Sequence, residues 1–168
     1  RGEPSSDDGA ADAGRLPHVE AADTAPQASD FVGQWVCTTV MENKLTDQLQ
    51  QVATQKDSIH LMGDGRAEAA GTIEVEIYAA KKRMSNARWK TGYKGVWRLE
   101  KGAICGTVNA MTVFPDNEDA RKFDETQKPM KERIPTGVES CEDVLEKSPT
   151  HFVSKQRGAT VSTRCVRK

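Results

Sequence analysis

The stretch SIHLMGDGRAEAAGTIEVEIY, residues 58–78, limits the possible folds more than any other part of the chain. Gly63-Asp64-Gly65 is turn chemistry that accepts positive φ, and it separates two segments of alternating character, so a β-hairpin is expected. Ile73, Val75 and Ile77 point one way and Glu74 and Glu76 the other, as in an antiparallel strand with one face on a core and one in water. The two glutamates are expected to solvate the outer face rather than to form a carboxylate pair.

Other segments repeat the pattern. FVGQWVCTTV, residues 31–40, is rich in aromatic and β-branched residues and places Phe31, Gly33, Trp35, Cys37 and Thr39 on one face of a strand. Tyr93, Gly95, Trp97 and Leu99 alternate with Lys94, Val96 and Arg98, and Glu100-Lys101-Gly102 turns the chain into a small and apolar run that Pro115 ends. Two short strands around Gln156-Arg157-Gly158 close the chain. Residues 44–56 are ambiguous, but Leu45, Leu49, Val52 and Ala53 suit a helix capped by Thr46 better than a strand. Residues 116–128, capped by Asp116, and 140–147, capped by Ser140, also read as short helices. The chain is therefore expected to be mainly β, an antiparallel up-and-down β-barrel of about seven to eight strands with one or two short inserted helices.

Composition divides the chain. Residues 1–30 hold seven acidic and two basic residues and little that can bury surface, so they read as a flexible, disordered acidic tail or linker. Residues 31–168 carry twenty-two basic and eighteen acidic residues and are expected to form a single barrel domain. No apolar run is long enough for a membrane-spanning helix, and the chain begins at Arg1 rather than Met, as a processed product would.

Cys37, Cys105, Cys141 and Cys165 are even in number, widely spaced and never in a C-x-x-C pair, which removes the usual signature of zinc or thioredoxin-type chemistry. Two disulfides of an exported protein are the leading reading, and four unpaired buried thiols of a cytosolic one the alternative. An up-and-down barrel closes by pairing its first and last strands, which makes Cys37 and Cys165 neighbours. The preferred pairing is Cys37 with Cys165 and Cys105 with Cys141, and the expected location is periplasmic or secreted.

A G-x-W at Gly33 to Trp35, the Gly63-Asp64-Gly65 hairpin, a second G-x-W at Gly95 to Trp97 with a Lys-Gly turn, and a terminal strand ending TRCVRK together resemble the lipocalin-like barrels, especially small exported bacterial ones. The resemblance spans residues 31–168. It implies an interior or mouth that accepts an apolar ligand. The acidic head and the helical insertion after Asp116 depart from that pattern.

Catalytic signatures are absent. His18, His60 and His151 are scattered without metal-ligand spacing, and the carboxylates of Asp116, Glu118 and Asp119 lack the glycine and glutamate of a calcium loop. No G-x-S-x-G, phosphate loop or G-x-G-x-x-G occurs, so neither enzyme activity nor a cofactor is expected. The leading function is a non-catalytic exported binding protein, periplasmic or envelope-associated, that holds a lipophilic small molecule or envelope component in a pocket lined by Trp35, Tyr93, Trp97 and Leu99. An alternative is an immunity or inhibitor protein that meets an acidic partner through a basic loop of Lys81, Lys82, Arg83, Arg88, Trp89 and Lys90. Residues 81–99 carry seven basic side chains among three aromatic ones, which also suggests nucleic acid. The mild overall charge and the exported character weigh against that reading, and no nucleic-acid partner is expected.

Overall fold

Each expected glycine turn reverses the chain between two strands in the computed structural model, which describes residues 25–168. The strands are β1 Gly33–Lys44, β2 Leu49–Leu61, β3 Arg66–Ala79, β4 Lys82–Glu100, β5 Ala103–Pro115, β6 Glu139–Lys147, β7 His151–Gln156 and β8 Ser162–Arg167. Neighbours in sequence pair antiparallel, and β8 returns to β1 to close one ring of eight strands. Three short helices accompany them: α1 Ala28–Phe31 before the barrel, and α2 Glu118–Thr126 and α3 Met130–Arg133 between β5 and β6.

Pairing overrides local preference at two places. Residues 44–56, expected to be helical, supply the end of β1, a turn and the first half of β2, because Val52 to Gln55 pair with β1 on one side and β3 on the other. Residues 140–147 form β6 rather than a helix, since Cys141 lies opposite Cys105 and the strand pairs with β5 and β7. The insertion helix starts later than expected. Asn117, not Asp116, caps α2 by accepting from the Ala120 amide at 3.0 Å, while Asp116 holds Arg88 at 2.9 Å.

The expected boundary at Phe31 also moves. Asp30 closes the start of α1 and receives Lys147 Nζ at 2.6 Å, so the last residues assigned to the tail belong to the fold. The remainder of the expected tail, residues 1–24, with His18, lies outside the described residues.

The strands are unequal, and this shapes the interior. β5 pairs with β6 only from Ala103 to Thr107, and β1 with β8 only from Trp35 to Thr39, so the ring is complete at one end. There Phe31, Trp35, Leu61, Trp97 and Phe152 pack into a lower core, plugged by α1. At the other end α2 and α3 close over the long strands, and Ala120 and Met130 join Ile73, Val75, Trp89 and Val113 in an upper core. A register shift between Lys94 and Gly95 switches the inward side of β5 from Ile104, Gly106 and Val108 to Met111 and Val113. Gly95 is needed at that bulge because a Cβ would overlap the Thr107 backbone.

Both disulfides form as expected, Cys37 with Cys165 and Cys105 with Cys141. The first lies in the lower core, and the second sits on the outer side of the wall, where Cys105 faces the same way as its neighbour across the ladder, Arg98. Two disulfides suit an extracellular or otherwise oxidising compartment. Among the described residues no helix is long and apolar enough to cross a membrane.

Candidate functional site

Between the two cores the barrel leaves a cavity of about 410 Å³. Its wall is apolar toward the ends, with Leu61, Ala67, Trp97 and Ile104 below and Ile134 above, and polar in the middle. The strap after α3, carrying Pro135 and Val138, borders it where β5 has outrun β6, and the Gly137 amide holds that strap to the Val108 carbonyl at 2.8 Å.

Alternation along each strand carries the polar belt inward. Thr39 of β1 and Thr163 of β8 share a hydrogen bond of 2.7 Å. Glu142 of β6 accepts from the Thr163 hydroxyl at 3.3 Å and from the Ser154 hydroxyl at 3.1 Å, so both its oxygens are engaged. Asp57 of β2 accepts from the Gln55 amide at 2.7 Å through Oδ2 alone.

Among the described residues three buried side-chain polar atoms have no hydrogen-bond partner: Asp57 Oδ1, Thr91 Oγ1 and Asn86 Oδ1. The last lies where β4 meets α2, but the first two flank one position. Asp57 is opposite Gly71, and Gly71 is opposite Thr91, in a single row across β2, β3 and β4. Glycine is required there, because a Cβ would overlap the Asp57 carboxylate, which packs over Gly71, and the Lys56 carbonyl. Asp57 is only 7% exposed and Thr91 6%, and unpartnered polar atoms at such depth are costly.

Burial also sets the local electrostatics. It pushes the Asp57 carboxyl above its ordinary 3.8, against the bond from Gln55 and the nearby Thr91 hydroxyl. It raises the Tyr93 hydroxyl to about 12, with Thr91 opposing and the Asp57 charge adding to the rise. Among the described residues, the charged side chains that line the cavity from inside are Asp57 and Glu142. Glu68 and Lys94 also border it, but as cross-strand partners on the outer face.

A larger concavity of about 620 Å³ lies on the outer surface, where Ser58, Ala70, Gly92 and Ala110 leave a trough beside His60. It is open to solvent, and none of the unpartnered buried atoms belongs to it. The interior recess is therefore the candidate site.

The expected pocket residues separate. Tyr93 and Trp97 line the cavity. Trp35 and Leu99 pack in the lower core instead, Trp35 donating its indole N–H to the Phe31 carbonyl at 2.8 Å under the Arg167 guanidinium. The polar belt escaped sequence reasoning, although Asp57 at an inward position of an alternating strand was a visible signal.

The expected basic loop is not a loop. The chain turns at Ala80-Lys81, both at positive φ, and Lys82 to Lys90 already belong to β4. Lys81, Lys82 and Arg83 stand exposed at that hairpin tip, but Asp116 holds Arg88 at 2.9 Å and Lys90 at 3.5 Å. Trp89, expected as an exposed anchor, is 0% exposed, packs edge-on to Phe123 and donates to Asp124 at 3.1 Å. The reason is the alternation itself, which sends Ala87, Trp89 and Thr91 inward with Tyr93 and Trp97.

No known family model matches the chain, and no curated protein matches it.

Proposed function

We propose that this protein is a non-catalytic binding protein of the periplasm or the extracellular space that holds a small molecule inside its barrel. The cavity between two packed cores carries the reading, since it offers a mostly apolar wall and a few fixed polar groups, the usual makeup of a small-ligand site. The disulfides support the exported location. The lipocalin-like reading draws support from the closed ring of eight consecutive antiparallel strands that the G-x-W segment opens. The ligand is not purely lipophilic, because Asp57 and Glu142 line the cavity.

The inhibitor reading is weaker. Its unpaired basic surface shrinks to Lys81 and Lys82, since Glu76 holds Arg83 at 3.4 Å and Asp116 holds Arg88 and Lys90, and its aromatic anchor is buried. Nucleic acid is disfavoured because Tyr93 and Trp97 turn their rings inward, away from any base.

Native mass spectrometry of protein made in an oxidising compartment tests the reading. A discrete added small-molecule mass is expected, and it should disappear when Ala69→Leu or Ala67→Phe fills the cavity while circular dichroism shows the barrel intact. An added mass that survives both substitutions places the ligand elsewhere and removes the reading.

A further inference from the structure

The polar belt has a sign, and that sign selects a ligand. Glu142 is satisfied by two hydroxyls, whereas Asp57, on the wall of the same cavity, accepts only from the Gln55 amide. A carboxylate offers about four acceptor positions, and Gln55 fills one. No cationic side chain among the described residues enters the cavity to use the others. A group that completes this site must donate several hydrogen bonds and gains further if it is positive, since charges attract more strongly away from water. A hard divalent cation suits it poorly, because such ions take six or more oxygens and much of this wall is aliphatic or aromatic.

We propose that the recess binds the protonated amine of a small organic ligand, with Asp57 as counter-ion and Leu61, Trp97, Ile104 and Ile134 around the carbon skeleton. Glu142 lends long-range attraction from the opposite wall. This inference rests on the interior-binding reading above and adds the chemical class of the ligand. Gln55 fixes the rotamer of Asp57 by donating to its Oδ2.

Three probes of one chain length separate the inference from the reading beneath it: n-octylamine, octan-1-ol and octanoate, titrated at pH about 7, where the amine is charged. Binding is read by calorimetry and by the fluorescence of Trp97 at the cavity wall. Octylamine should bind at least about tenfold tighter than octanol, the ratio typical of a charged hydrogen bond, and octanoate should bind weakest. Asp57→Asn should abolish the preference for the amine over the alcohol, with circular dichroism showing that the barrel is intact. Equal binding of amine and alcohol, a preference that survives Asp57→Asn, or octanoate binding tightest overturns the amine assignment and leaves the interior site standing. Failure of all three probes to bind overturns both.

Discussion

Two positions in the row across β2 and β3 act on stability in opposite directions. Asp57 is the clearer case, because its carboxyl titrates above its ordinary 3.8 when folded, so the unfolded chain releases the proton first as pH rises. The stability present below that ordinary value is thus lost as pH climbs through the folded value. Asp57→Asn should match the native protein in urea midpoint at pH about 3 and exceed it at pH about 7. A constant difference across that range would mean the carboxylate is not desolvated. Gly71 is the second case. Gly71→Ala puts a Cβ into the Asp57 carboxylate and the Lys56 carbonyl, and overpacking of this kind should cost about 1–3 kcal/mol in denaturant unfolding. Asp57 stood in plain view at an inward position of β2, but its unpaired oxygen depends on Gln55, Gly71 and Thr91, which belong to three strands.

At the scale of elements, the helix and hairpin ends carry most of what local sequence misjudged. The β3–β4 turn places Ala80 at φ 48° and Lys81 at φ 65°, a left-handed pair without glycine. Lys81→Gly should therefore stabilise the hairpin by about 1 kcal/mol, seen as a rise in the urea midpoint. Asn117 does more than cap α2, since it also accepts from the Arg88 amide at 3.1 Å and donates to the Asn86 carbonyl at 2.8 Å. Asn117→Ala should cost about 2 kcal/mol and speed amide exchange at Arg88 and Ala120 together. A change confined to α2 would show that the helix is not fastened to β4. The hairpins at Gly63-Asp64-Gly65 and Lys101-Gly102 were legible because their chemistry is local. Residues 44–56 and 140–147 were not, because their helical features are local while their strand partners lie far along the chain.

For the whole molecule, the staples and the closure of the ring act together. Cys37–Cys165 spans 128 residues and Cys105–Cys141 spans 36, so in the chain-entropy model the first should stabilise by about 1 kcal/mol more. Replacing Cys37 and Cys165 by Ala should lower stability by about 2–5 kcal/mol and more than replacing the other pair, measured by urea unfolding. The reverse order would mean that the wall between β5 and β6 is the weaker closure, although β1 and β8 also share only five residue pairs. Alternation and turn residues determined by themselves that this chain is a β-barrel of consecutive hairpins, and cysteine number with strand order determined which thiols meet. Both follow from a period of two and from neighbours in sequence. Only the tertiary structure decided that β4 begins as early as Lys82 and so carries Trp89 into the core, that α2 and α3 roof the interior, and that a polar recess around Asp57 separates two cores. Those outcomes depend on unequal strand lengths and on a bulge at Gly95, which set where distant side chains meet and which no local pattern encodes.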